Sequence, residues 1–183
     1  MKVVVRPAAE SDIAAIAGIY GHHVATGLAS FELEPPSVEE MTRRYRELAD
    51  RGFPYLAAER AGKLVGYAYA GAYRARPAYR FSVENSVYID ADARRGGAGR
   101  ALLQALIAEC ERIGFRQMVA VIGDSDNAAS IGLHAACGFT TVGTLPSIGY
   151  KFDRWVDSVF MQRVLGEGSA TPPACENRKL TDV

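Results

Sequence analysis

Two spacings of hydrophobic residues alternate along the chain, and each predicts a different kind of element. Ile13, Ile16 and Ile19 recur about once per helical turn, which predicts an early amphipathic helix. Val87 and Ile89 occupy alternate positions of a later run, which predicts a β-strand. The chain is therefore predicted to mix helices and strands throughout its length.

Turn and capping signals separate these elements. Ser37 with Glu40 three positions later fits a capping box, and Ala61-Gly62 is a hairpin turn signal. Together the elements predict one α/β (α+β) domain over 1–165. Residues 166–183 are polar and without periodicity, so a disordered tail is predicted there. The predicted strands are 2–6, 55–59, 63–70, 80–90, 117–122, 139–145, 150–152 and 156–163, and the predicted helices begin near Glu10, Ser37, Gly97 and Asn127.

Composition limits the function classes. Among 183 residues, 21 Lys+Arg balance 21 Asp+Glu, so bulk charge indicates neither a nucleic-acid partner nor an anionic membrane. No apolar run approaches a membrane span, and the first residues lack a secretory signal. The scattered cysteines, including Cys175 in the tail, show no zinc spacing, and adjacent His22 and His23 make a poor metal site. We expect a cytoplasmic protein without a metal.

The turn between strand 80–90 and the next helix combines arginines with glycines. Unpaired N–H groups and the positive end of the helix dipole attract anions there, and glycines allow close approach of a phosphate. The order is not that of a Rossmann fingerprint, and the Gly-Lys-Ser/Thr of a P-loop is missing. A phosphate-binding loop is favoured over an ordinary tight turn with a basic surface. Its residues are Arg94, Arg95, Gly96, Gly97, Ala98, Gly99 and Arg100.

Three separated segments resemble one family, the GCN5-related N-acetyltransferases (GNAT). The spacing Arg94-x-x-Gly97-x-Gly99 resembles their pyrophosphate loop, and 127–139 resembles their signature of an Asn, a short helix and a closing Gly-Phe. Residues 149–162 are similar to the C-terminal hairpin of the phosphinothricin and methionine sulfoximine N-acetyltransferases. The resemblance covers about 3–163, and residues 69–71 and 84–88 also match that subfamily.

The resemblance implies a GNAT fold, with a mixed central sheet flanked by helices, and acetyl-CoA as cosubstrate. The pantetheine arm would lie along the strand by backbone hydrogen bonds, with the pyrophosphate on the N–H groups of 95–100. A plain helix cap is the alternative interpretation of Asn127. The implied coenzyme-binding residues are Val87, Tyr88, Ile89, the seven residues of the loop, Asn127 and Ser130.

Two residues are candidates for the acetyl-transfer chemistry. Glu84 is a carboxylate in an otherwise apolar strand, where burial would raise its pKa, and the family has a general base at this position. An exposed or salt-bridged strand carboxylate is the alternative. His134 stands where many relatives carry a tyrosine beside the thioester sulfur, so it either protonates the thiolate or packs. The sequence leaves both interpretations of His134 open.

The acceptor side rests on residues from separate segments. Arg74 and Arg76 precede the catalytic strand and suit a carboxylate or phosphinate, although solvated loop charge is the alternative. The resemblance adds Phe31, Tyr79, Glu84, Tyr150 and Lys151 to the same pocket. It also implies a homodimer, because relatives complete this pocket at a dimer interface.

Three functions agree with these observations. The first is N-acetylation of a small amino acid such as phosphinothricin or methionine sulfoximine or sulfone. The second is acetylation of another amine, either a peptide N-terminus or a polyamine, although Arg74 and Arg76 disfavour a polyamine. The third is a coenzyme A-binding sensor without catalysis, which an intact Glu84 disfavours.

Overall fold

A computed structural model describes residues 2–173. The pattern of the sequence is realised as seven strands and four α-helices, joined by short 3-10 turns. Half of the predicted capping box is present, since Ser37 Oγ accepts the Glu40 N–H at 3.2 Å, whereas the Glu40 carboxylate pairs with Arg43 and Arg44. The strands are β1 (Val4–Pro7), β2 (Tyr55–Arg60), β3 (Lys63–Ala72), β4 (Ser82–Ile89), β5 (Gln117–Gly123), β6 (Thr140–Lys151) and β7 (Arg154–Val164), and the helices are α1 (Ile13–Thr26), α2 (Val38–Asp50), α3 (Ala98–Ile113) and α4 (Ala128–Ala136).

The strands form one mixed sheet in the order β1-β2-β3-β4-β5-β7-β6. Every neighbouring pair is antiparallel except β4 and β5, which are parallel. A parallel pair needs a crossover, and α3 supplies it. The predicted class, a mixed central sheet flanked by helices, is confirmed.

The parallel pairing of β4 with β5 is short, and a cleft opens where it ends. The register of β4 and β5 runs from Ser82 opposite Gln117 to Asn85 opposite Ala120. Beyond that point β4 continues to Ile89 beside β3, whereas β5 continues to Gly123 beside β7. The two strands therefore diverge in the middle of the sheet and open a cleft.

Each face of the sheet carries its own hydrophobic core. The larger core packs α3 against the sheet through residues such as Leu102 and Leu106, which are fully buried. The smaller core packs α1 and α2 through residues such as Ile16, with stacked tyrosines on the sheet, among them Tyr55 and Tyr67. Since side chains alternate along a strand, successive residues of β4 face different layers.

The end of the chain differs from the prediction in two places. The predicted strands 139–145 and 150–152 are one strand, β6, because the insertion around Ser147 is absorbed as a bulge in the pairing with β7. The first part of the predicted disordered tail is anchored, since the Arg116 guanidinium donates to the Gly168 carbonyl at 3.4 Å. Residues 174–183, with Cys175, lie outside the described residues.

Candidate active site

The cleft at the β4–β5 divergence collects residues from four parts of the chain. Five of the residues predicted from the sequence meet there, although they come from two separate segments. The cleft is lined by Ala29, Asn85, Ser86, Val87, Tyr88, Ala120, Val121, Ile122, Gly123, Asn127, Ser130 and His134.

The glycine-rich loop leads from the end of β4 into α3. Arg95 and Gly97 have positive φ values of 58° and 80°, and Gly97 is the N-cap of α3. The first intrahelical bond is donated by Ala101 to the Gly97 carbonyl, so the N–H groups of 98–100 lie at the open helix start. The Arg94 and Arg100 side chains are exposed beside them. Backbone donors, dipole and guanidinium charge together fit a diphosphate.

Arg60 supports this loop from the end of β2. Its guanidinium Nη2 donates to the Gly96 carbonyl at 2.7 Å. A Cβ at Gly96 would lie 2.1 Å from that nitrogen, so any other residue here would move the Arg60 guanidinium. Arg60 could not be predicted from the sequence, because its partner is 36 residues away.

Glu84 lies on the α1/α2 face of β4. Its side chain is 37% exposed, so it is partly buried rather than sealed from solvent. Desolvation raises the pKa of the Glu84 carboxyl, and the positive charge of Arg74 partly offsets this rise. The Arg74 Nη1 lies 4.0 Å from Glu84 Oε2. A carboxylate with a raised pKa beside a cleft has the properties of a general base.

His134 lies on the opposite face, within α4, and is 4% exposed. Its Nε2 is 3.0 Å from Asn85 Oδ1, and its Nδ1 is 2.8 Å from the Ser130 carbonyl. The Phe139 ring holds the imidazole edge to face, with centroids 5.0 Å apart. Burial lowers the pKa of His134, which favours the neutral ring. Both ring nitrogens thus contact protein oxygens at the edge of the cleft.

Asn127 is the N-cap of α4, as in the alternative interpretation of this residue. Its Oδ1 accepts the Ser130 N–H at 3.2 Å, and its Nδ2 donates to the Gly123 carbonyl at 3.4 Å. Of the predicted strand residues, Ile89 has its carbonyl engaged by His23 Nε2 at 2.8 Å. The Ile89 carbonyl is therefore not free for a ligand, and His23 has a structural contact at the coenzyme side.

The predicted acceptor arginines lie in the exposed segment between β3 and β4. Arg74 stacks over the Tyr73 ring at 4.4 Å and faces Glu84. Tyr79 contacts the same Tyr73 ring edge to face, and Arg76 is exposed nearby in sequence. The segment thus brings a guanidinium beside the candidate base.

Phe31, Tyr150 and Lys151 have different environments within one chain, and their place in one acceptor pocket stays a prediction. Phe31 packs on Gly149, where a Cβ would lie 2.2 Å from its ring. Lys151 is 2% exposed and donates to the Ser30 carbonyl at 2.8 Å, and burial lowers its pKa. Tyr150 points to the other face and is 53% exposed, because neighbouring strand residues point in opposite directions.

Among residues 2–173, no cluster of three or more His, Cys, Asp or Glu side chains could hold a metal ion. Over the same residues, no helix has both the length and the hydropathy to cross a bilayer.

The sequence matches the family described as "Acetyltransferase (GNAT) domain" over residues 5–160. It is 56% identical over 169 residues to a phosphinothricin N-acetyltransferase from Alcaligenes faecalis, across 92% of this chain and 86% of that protein. It is 40% identical over 171 residues to an L-methionine sulfoximine/L-methionine sulfone acetyltransferase from Salmonella typhimurium, across 93% and 99% of the two chains.

The structure gives the same result. It matches the crystal structure of a GNAT superfamily phosphinothricin acetyltransferase from Sinorhizobium meliloti in complex with AcCoA, with a TM-score of 0.94 and 44% identity. The match covers 99% of this chain and 98% of that one. The chain therefore belongs to the GNAT acetyltransferase family, as the three sequence segments predicted.

Proposed function

We propose that the protein transfers an acetyl group from acetyl-CoA to the α-amine of a small amino acid such as phosphinothricin or methionine sulfoximine or sulfone. The observation that carries this proposal is the β4–β5 cleft, whose strand β4 carries Glu84 just before the divergence and leads at its far end toward the anion-binding loop. At about 3.3 Å per strand residue, Glu84 and Ile89 are roughly 17 Å apart, a span that suits an extended pantetheine arm. The names of the two relatives described above support this substrate class.

The residues of this chain have separate tasks in the proposed reaction. The loop N–H groups and Arg94, Arg95 and Arg100 hold the diphosphate, and the cleft holds the arm between β4 and β5. Bound acetyl-CoA supplies the thioester. Glu84 takes a proton from the substrate ammonium, through water, so that the amine nitrogen can form the new C–N bond as the C–S bond breaks.

Arg74 and Arg76 favour an acceptor with an anionic head. A guanidinium beside Glu84 can bind a carboxylate or phosphinate while the amine faces the base. The same charges disfavour a polyamine, which would require carboxylates. The amino-acid class is therefore preferred over the polyamine class.

A thiol-release assay separates the candidate functions. The purified protein is incubated with acetyl-CoA and a panel of phosphinothricin, methionine sulfoximine, spermine and a peptide. Release with the first two alone is the expected result. Release only with spermine or the peptide identifies another acetyltransferase, and tight acetyl-CoA binding without release identifies a sensor.

We also propose a homodimer, formed through the edge of the sheet at β6. Nearly all of β6 is exposed, although it carries large apolar residues, and such an edge invites pairing with another chain. Light scattering on the eluted protein should give twice the chain mass, and Trp155→Asp should shift it to the single-chain mass. The large exposed apolar residues of β6, β7 and the turn between them are Val142, Leu145, Ile148, Tyr150, Phe152, Trp155 and Val164.

A further inference from the structure

Asn85 is a buried amide at the position where β4 and β5 begin to diverge. It is 5% exposed and pairs with Ala120, the last partner in the parallel register. Its Nδ2 donates to the Val119 carbonyl of β5 at 3.1 Å. Since a carbonyl oxygen only accepts, this bond fixes the orientation of the amide. The Asn85 Oδ1 is therefore the atom that faces α4.

The imidazole of His134 lies between two accepting oxygens. Asn85 Oδ1 is 3.0 Å from Nε2, and the Ser130 carbonyl is 2.8 Å from Nδ1. A neutral imidazole has one N–H, so these two oxygens compete for it. Ser130 Oγ lies 3.4 Å from Nδ1 and its hydroxyl can donate to that nitrogen, whereas within residues 2–173 the hydrogen-bond partner of Nε2 is the Asn85 oxygen. With the hydrogen on Nε2, each ring nitrogen has a suitable partner, because Asn85 Oδ1 accepts from Nε2 and the Ser130 hydroxyl donates to Nδ1.

The two nitrogens also differ in their relation to the cleft. Nδ1 is turned back toward its own helix, one turn earlier at Ser130. Nε2 points toward Asn85 at the divergence, on the face of β4 opposite to Glu84. A hydrogen on Nε2 therefore lies at the edge of the cleft, in the bond to Asn85 Oδ1, whereas one on Nδ1 points away from the cleft.

We propose that Asn85 is a positioning residue that keeps a hydrogen on Nε2 of His134, so that the ring holds an N–H at the edge of the cleft in its hydrogen bond to Asn85 Oδ1. The proposal rests on the proposed acetyl transfer, in which the departing sulfur, as it gains negative charge, would share this hydrogen with Asn85 Oδ1. It assigns Asn85 no contact with the substrate. Without Asn85, the Ser130 carbonyl is the remaining acceptor, and the hydrogen moves to Nδ1.

Nitrogen NMR of histidine-labelled protein tests the proposal directly. The chain has 3 histidines, and His22→Gln, which alters an exposed ring, removes one set of signals for assignment. The wild type should show a protonated Nε2 at His134, and Asn85→Leu should show the hydrogen on Nδ1. An unprotonated Nε2 in the wild type, or no change in Asn85→Leu, overturns the proposal.

Steady-state kinetics of Asn85 variants provide a second test. Asn85→Leu should lower kcat by about 100-fold, the lower end for loss of one positioned donor, while the KM for acetyl-CoA stays within about twofold. Asn85→Asp keeps an acceptor opposite Nε2 and should restore both the Nε2 hydrogen and most of kcat, which a merely structural role does not predict. If the wild type releases no thiol with any acceptor, the acetyl-transfer proposal fails, while NMR still decides the role of Asn85.

Discussion

The coenzyme side of this cleft is formed mainly by the backbone, whereas the acceptor side is formed mainly by side chains. On the coenzyme side, the diverging strands, the positive φ at Gly97 and the start of α3 are all backbone features. On the acceptor side, the candidate groups are side chains from separate segments, such as Arg74 and Phe31, and several are exposed. Backbone geometry can serve any acyl-CoA enzyme, whereas the side chains can change with the acceptor.

Glu84 joins the two sides, and its removal should have the largest effect. Glu84→Gln keeps the shape but cannot accept a proton, so kcat should fall by about 100- to 10,000-fold. Calorimetry should find the affinity for acetyl-CoA unchanged, because the loop is intact. Glu109→Gln on the exposed face of α3 is the matched control. Unchanged turnover at neutral pH would remove Glu84 from the mechanism.

Gly97→Val tests whether the coenzyme side depends on backbone conformation. A Cβ at Gly97 would have no atom within 4 Å, so in the free protein the substitution is unfavourable because of the φ of +80° and not because of a clash. A left-handed non-glycine residue costs about 1–3 kcal/mol, which predicts about 5- to 150-fold weaker binding if the loop relaxes away from it.

Gly52→Val provides the control, because Gly52 has a φ of +72° and equally open space but lies at the end of α2. It should lower the free energy of unfolding without changing acetyl-CoA affinity. Equal binding losses in both variants would mean that general stability, rather than the loop, is measured.

The motifs assigned to the coenzyme side could be recognised from the sequence, because each is a short, continuous segment. Asn127, Ser130 and His134 of the 127–139 signature line the cleft, and the loop leads from the end of β4 into α3. The divergence of β4 from β5 was not predicted, because it depends on how two strands pair across more than thirty residues. Asn85 was missed for the same reason, since both its partners belong to other elements.

The acceptor side is harder to predict from the sequence, because it depends on which way each side chain faces. Tyr150 and Lys151 are neighbours in sequence, and a strand points them to opposite faces. The bulge near Ser147 set that facing, and it was not visible in the hydrophobic pattern. The face of the sheet on which each β6 side chain lies could therefore be determined only from the structure.

Arg74→Ala tests the acceptor side through substrate affinity and pH together. Loss of a charge-assisted contact should raise the KM for phosphinothricin by about tenfold. The Arg74 charge holds down the pKa of Glu84, so its removal raises that pKa further. Because the base must be deprotonated, the acid limb of the kcat/KM profile should move to higher pH.

Arg80→Ala is the control for Arg74, since Arg80 lies in the same segment but stacks over Phe81. It should leave both the KM and the acid limb in place. An acid limb that does not move in Arg74→Ala would show that Glu84 is not the group that titrates.

The smallest expected effect comes from Gly149→Ala, which moves a ring without removing any candidate group. The new Cβ would overlap the Phe31 ring, so the ring must shift on the acceptor side. At about 1 kcal/mol for modest overpacking, the KM for the amino acid should rise up to about fivefold, with acetyl-CoA affinity unchanged. Gly143→Ala on the same strand has no atom within 4 Å and should change neither constant. A change in acetyl-CoA affinity in Gly149→Ala would mean that the two sides of the cleft are coupled through the α1–α2 loop.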